Sequence, residues 1–236
     1  MKLAYTLILC LAILMPVLSH GEESQFCTDE YYKKISVLYQ NRNYETAKIL
    51  FQVLSCGEAI SKPTKRGQYV ALVGGYMREN PALIDTLLTS ANSVKNTDAA
   101  KIYLDGLWLC STKECQKKLK ERPFQLPIKE VNKLLAERPP DPFSIPINDP
   151  ATLDFLWGYF FGTGDTKVVE RVYNLLSDNW GALNSSESMG ANKRIVLSAA
   201  RWSLVSIASQ HELVRNVLEK EKSIVAKELL KEVAKK

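Results

Sequence analysis

The side chains with the widest chemical reach in this 236-residue chain are five cysteines and two histidines, at Cys10, Cys27, Cys56, Cys110, Cys115, His20 and His211. Their spacing limits them. No histidine of the mature chain stands near a cysteine, and Cys110-x4-Cys115 supplies only two thiolates, so no metal site is expected. A redox-active pair would want a shorter spacing and an activated thiolate. His211, between Gln210 and Glu212, reads as a residue at a helix start rather than as a base. Ser198, Ser203, Ser206 and Ser209 precede it, but no strand-to-helix elbow presents any of them as a nucleophile. Gly162-Thr163-Gly164-Asp165 lacks the Lys and Ser/Thr of a phosphate loop and reads as a helix end at Gly162 with the next cap at Asp165.

Two charges interrupt otherwise apolar helices. Asp154 falls within Leu153 to Phe161, and Arg201 within Ile195 to Ala208. An acid near a helix start complements the dipole, and a long arginine can reach the surface. The sharper alternative pairs one or both across a helix interface or makes them line a binding groove. With His211 they are the candidate binding residues. A glycoside hydrolase would need a second placed acid in a cleft, and nothing in the sequence nominates one. No catalytic residue and no cofactor are therefore expected.

The compartment decides what the cysteines mean. Lys2 is followed by an apolar run from Leu3 to Leu18 and by small residues that allow cleavage between Ser19 and Gly21, the pattern of a removed secretory signal over residues 1–21. Cys10 lies inside the run, without the small residues a lipoprotein site would place before it, and leaves with the signal. The mature chain is expected in a bacterial periplasm or outside the cell, with no stable membrane span after cleavage. In an oxidising compartment its four cysteines are expected to form two disulfides.

Composition narrows the classes further. About 215 mature residues and 46% apolar content suit a globular chain with a real core. Cleavage removes Lys2 and no acid, so the net charge falls from +5 to +4, and the charges are mixed along the chain. Nucleic acid is not an expected partner. The one local excess, Lys117, Lys118, Lys120 and Arg122, reads as a solvated helix face.

Periodicity is almost wholly helical. Apolar residues recur at three and four over 30–40, 44–55, 67–78, 82–93, 98–110, 112–120, 128–137, 151–161, 166–176, 193–209 and 212–233, and no segment sustains two-residue alternation. Short turns rich in capping residues join them, so the fold class is all-α: stacked antiparallel helical hairpins, solenoid-like. Three regions follow the signal: hairpins over 22–122, a helix and strap with seven prolines over 123–150, and a C-terminal hairpin pair over 151–236. Phe143, Ile145 and Ile147 lie among the prolines, so the strap is expected to rest on the helical body, with Asp149 capping the next helix and Pro150 opening it.

Asn43 to Phe51 resembles the second helix of a tetratricopeptide repeat. Tyr44 opens it, Ala47 is the small residue at the crossing, and Phe51 is the aromatic four later; Tyr31, Ile35 and Leu38 stand where the repeat's first helix packs. Lys34 departs from the usual leucine, and no proline closes the unit. The resemblance covers residues 31–59 and implies helical stacking and a protein or peptide partner. In such a hairpin Cys27 and Cys56 lie at the same open end, and Cys110 and Cys115 flank a reversal, which predicts Cys27–Cys56 and Cys110–Cys115 bridges.

In the C-terminal region, 153–161 and 195–208 are apolar all round, whereas 168–176 and 213–225 carry single stripes. The first two are expected inside, with Trp157 and Trp202 both interior. The blocks 148–165 and 199–211 resemble segments of exported bacterial proteins with no assigned activity. The expected function is an exported binding or assembly module for a protein or peptide, not an enzyme. The alternatives are an exported hydrolase with its site near Asp154, Arg201 and His211, and an envelope-associated accessory that touches membrane through residues 212–236.

Overall fold

Capping residues and short turns cut the chain into helices of eight to nineteen residues. The computed structural model describes residues 29–54, 63–92, 97–121, 128–184 and 189–236. The helices are α1 (Asp29–Ser36), α2 (Tyr44–Leu54), α3 (Pro63–Glu79), α4 (Ile84–Asn92), α5 (Thr97–Cys110), α6 (Lys113–Lys120), α7 (Ile128–Ala136), α8 (Pro150–Thr163), α9 (Thr166–Asn184), α10 (Ala191–Ala208), α11 (Glu212–Lys220) and α12 (Ile224–Val233). Single 3-10 turns occupy Leu38–Gln40 and Pro81–Leu83, and no strand occurs among the described residues. The fold is all-α. The signal segment 1–21, Cys27 and Cys56 lie outside the described residues.

The caps are local chemistry. Asp149 Oδ1 accepts from the Thr152 N–H at 2.8 Å with Pro150 in the first turn, and Thr112 Oγ1 accepts from Cys115 N–H at 3.2 Å. Each such cap contributes about 1 kcal/mol. Ser223 Oγ accepts from Ala226 N–H at 3.0 Å and divides what periodicity reads as one helix over 212–233 into α11 and α12. Val214, Val217, Leu218, Val225 and Leu229 keep helical phase across the break, so the stripe alone does not reveal it. The Tyr173 hydroxyl of α9, 2.6 Å from Ser223 Oγ, holds the corner. These five apolar residues are buried in the core, while Leu213 and Ile224 of the same stripe are exposed.

Residues Tyr69 to Met77 are buried without interruption, which makes α3 the axle of the molecule. Its most extensive partner is α8, far away in sequence. Glycines allow the approach. A Cβ on Gly158 would overlap the Gln68 carbonyl oxygen, and one on Gly162 would stand 2.5 Å from Leu72 O and 2.8 Å from Tyr76 N. A Cβ on Gly75 would meet Tyr159 O at 3.2 Å. Contacts advance together along both helices, from 68 against 158 to 75 against 163, so α3 and α8 run parallel. On the other side of α3, a Cβ on Gly74 would lie 2.9 Å from the Gly106 carbonyl oxygen of α5. Gly162 is therefore a packing residue and not the helix end expected of it. That end is Gly164, left-handed at φ 69°, whose N–H reaches Phe160 O at 2.6 Å.

Parallel helices bring their C-terminal dipoles to one place. Arg42, in the turn before α2, donates to Thr163 O at 2.6 Å and to Glu79 Oε2 at 3.4 Å, placing a cation beside both helix ends. The passage between α7 and α8 lies against the same body. Phe143 meets Tyr159 edge-on at 5.9 Å, Ile145 and Ile147 pack on the core, and the Arg171 guanidinium of α9 donates to the carbonyls of Pro142 and Ile145. One apolar cluster runs from Ile35 to Val233, so α8 joins the N-terminal helices to those after the proline passage.

Cys110 and Cys115 are bonded across the corner between α5 and α6, with Cα atoms 6.1 Å apart and both side chains buried. Closing so short a loop contributes about 2 kcal/mol on the chain-entropy account. Peptide mapping without reduction is expected to recover these two cysteines joined; free thiols at both would contradict the corner.

Candidate binding surface

Helix α10 buries one face and leaves the other bare. Val196, Leu197, Ala200, Ser203, Leu204 and Ala208 face the core as a stripe, and Val205 is buried at its edge. Opposite them, Ile195 is 55% exposed and Trp202 is 69% exposed, with Ser198 between them. Trp202 is thus not interior, which corrects the expectation for this helix. The physical reason lies in Ala199, Ala200, Ser203, Ser206 and Ala208. Small residues blur the boundary between an apolar and a polar face, so the segment reads as apolar all round although helices cover it on one side only.

The bare face borders a depression of about 420 Å³, open to solvent and lined by Leu183, Arg194, Ser198, Arg201, Trp202 and Glu232. Three helices build it: the end of α9, the outer face of α10 and the last turn of α12. Other shallow surfaces, along α6 at Lys113, Lys117 and Lys120 and along α12 at Ile224 and Lys231, are each the side of a single helix.

Arg201 is held in place. Its Nε donates to Glu232 Oε1 at 3.0 Å and its Nη2 donates to the same carboxylate, while the guanidinium lies 5.0 Å from the Trp180 ring centre. The arginine therefore pairs across a helix interface, but with Glu232 and not with Asp154. Lys236 stands 5.6 Å over the Trp202 ring.

The other two candidate residues lie in different surroundings. Asp154 is half-buried in α8, where desolvation raises its carboxyl above the usual range and the charge of Lys65 opposes that shift. His211 is only 2% exposed. Its Nδ1 is 3.2 Å from the Tyr39 hydroxyl, which also accepts from Gln40 Nε2 at 3.0 Å. With the amide donating to the phenol oxygen, the phenol proton is free for Nδ1, which suits a neutral imidazole protonated at Nε2. Phe160 and Phe161 flank the ring at 6.2 and 5.5 Å. The residue does begin α11, as expected, but its side chain caps nothing and instead ties that helix to the Leu38–Gln40 turn. Asp154, Arg201 and His211 thus have separate partners. Among the described residues no group of three His, Cys, Asp or Glu side chains comes together as a metal site would need.

Burial pushes the His211 pKa below its ordinary 6.5. The unfolded chain then takes up a proton near pH 6.5 that the folded chain resists, so this residue's contribution to stability is present above that pH and is lost as pH falls. The melting temperature of the wild type is expected to drop more between pH 7.5 and 5 than that of His211→Gln. The raised Asp154 carboxyl acts in the opposite sense but is common to both proteins. Parallel pH curves would show that His211 is not the group responsible.

The exposed tryptophan is the feature that reading from sequence missed. A usable signal was present: Arg194, Ser198 and Arg201 lie with Ile195 and Trp202 on one side of a helical wheel. Against protein-family models, curated proteins and solved structures alike, the chain finds no match.

Proposed function

We propose that the protein is an exported binding or assembly module for a protein or peptide partner, with no catalysis of its own. The observation that carries this reading is Trp202, a large apolar side chain left in solvent beside Ile195 and at the edge of a depression containing two arginines. Tryptophan and arginine dominate the energetics of protein interfaces, because each combines large contact area with polar or cationic recognition. A hydrolase would need Asp154, Arg201 and His211 to converge on one substrate, whereas His211 is enclosed by Tyr39, Phe160 and Phe161 and Arg201 is occupied by Glu232.

The finer architecture belongs to the same proposal. The pair α1 and α2 is a hairpin of the tetratricopeptide kind, packed against α8 rather than followed by a one-dimensional stack. A Cys27–Cys56 bridge staples its open end, and that bridge requires the oxidising compartment a cleaved signal would provide. Non-reducing peptide maps that find Cys27 and Cys56 as free thiols in the exported protein would remove it.

Affinity capture from the compartment where the protein resides, with crosslinking before lysis, tests the function. A partner retained by the wild type and lost by Trp202→Ala, with the melting temperature unchanged, is the expected result. Capture that is the same for both proteins would move the binding site elsewhere.

A further inference from the structure

The groove beside Trp202 has a chemistry that selects its occupant. Among the described residues its one lining carboxylate, Glu232, is already engaged by Nε and Nη2 of Arg201. That clamp and the Trp180 stack fix the guanidinium before any ligand arrives, so its immobilisation costs little on binding. The Nη1 edge makes none of the hydrogen bonds to Glu232. Arg194 lies seven residues earlier on the same face of α10 and is exposed, and Lys236 stands over the Trp202 ring. The paired Arg201 and Glu232 thus flank an apolar strip made of Leu183, Ile195 and Trp202, and Arg194 and Lys236 supply the positive excess beside it. Such a site is complementary to carboxylates flanking an apolar side chain.

We propose that this groove binds an acidic segment of a partner protein, which lays an aromatic or aliphatic side chain on Trp202 and sets carboxylates against Arg194, Arg201 and Lys236. This deepens the binding reading above and rests on it. Exposed tryptophan among cations also suits an anionic lipid surface. A peptide is favoured because residues of three helices build the depression, which gives a short segment sides to contact as well as a face. The exposed apolar residues are also few, too few to anchor a helix bundle on a bilayer.

A display library of random dodecapeptides tests the proposal even while the partner is unidentified. It is selected on the folded wild type and counter-selected on Trp202→Ala. The retained pool is expected to be enriched about twofold or more in Asp and Glu, together with aromatic or aliphatic residues. Synthetic peptides from that pool should lose about tenfold in affinity on the double variant Arg194→Glu, Lys236→Glu, and about as much when sodium chloride rises from about 50 to about 500 mM. The double variant should melt at the wild-type temperature, since neither residue is in the core. A Trp202-dependent pool with no acidic enrichment, or one indifferent to charge reversal, would overturn the acidic partner while leaving the binding module standing. No Trp202-dependent pool, together with no Trp202-dependent capture, would overturn both. Two parallel measurements complete the set. Trp202-dependent flotation with phosphatidylglycerol vesicles but not with phosphatidylcholine would assign the face to lipid. A concentration-dependent dimer by sedimentation, lost in Trp202→Ala, would assign it to a second copy of the chain. Either would overturn the proposal.

Discussion

Truncating Trp157 to alanine is expected to destabilise the protein by about 3 to 5 kcal/mol, and truncating Trp202 by less than about 1 kcal/mol. The two residues stand in similar sequence surroundings, each within an apolar helix, and the contrast follows from where those helices end up. Trp157 is 2% exposed and meets Phe160 edge-on at 6.0 Å, inside the layer between α8 and its neighbours. Removing it leaves a cavity among buried side chains as well as losing the transfer energy of the ring. Trp202 is already in water. Its one described ring contact is the Lys236 ammonium, and losing an exposed contact of that kind costs little. Thermal or urea unfolding of both variants checks the pair. For a chain of this size the first change corresponds to a fall in melting temperature of about 10 °C. Equal losses would mean that Trp202 is covered in solution, and the binding surface would have to be sought elsewhere.

Gly158→Ala is expected to cost about 2 kcal/mol, although alanine is the better helix former by about 1 kcal/mol. The added methyl would collide with the Gln68 carbonyl oxygen, which belongs to the backbone of α3 and cannot rotate away. The two helices must separate, and every contact along their parallel interface loosens together. Gly162→Ala should behave in the same way, and the double variant should not be additive, because both methyls pry apart one interface. Gly67→Ala and Gly181→Ala are the controls. Both positions lie within helices and have nothing within 4 Å of the new Cβ, so these variants should gain about 0.5 to 1 kcal/mol through propensity and a less flexible unfolded chain. Melting temperatures for all four test the argument. Destabilisation at Gly67 as large as at Gly158 would show that the effect is not one of helix approach.

Much of the helical layout was legible because helix chemistry is local. Caps such as Asp149 and Thr112, Pro150 in a first turn, and apolar spacing of three and four are each set by residues within one or two turns, so most helices appear near their expected positions; α9 is an exception, running to Asn184 and not ending at Leu176. The break at Ser223 was hidden because the stripe keeps phase across it, and a hydroxyl from α9 is needed to hold it. The corner bridge of Cys110 and Cys115 was legible for the same local reason, since five residues separate two cysteines at a chain reversal.

What the sequence could not carry is the choice of neighbours. Tyr69 to Met77 is as apolar as 153–161, yet nothing local says that these two runs lie side by side. Their glycines, at 74 and 75 and at 158 and 162, acquire meaning only when another backbone is placed against them. The candidate site shows the same limit. Asp154, Arg201 and His211 were picked out as polar residues in apolar surroundings, and the structure gives them separate surroundings: Asp154 is half-buried within reach of the Lys65 charge, Arg201 pairs with Glu232, and His211 meets Tyr39. Trp202 looked like core because composition reports what a helix can bury and not which side of it is covered. Burial belongs to the packing of all the helices at once, and it was the tertiary structure that left that one face of α10 open.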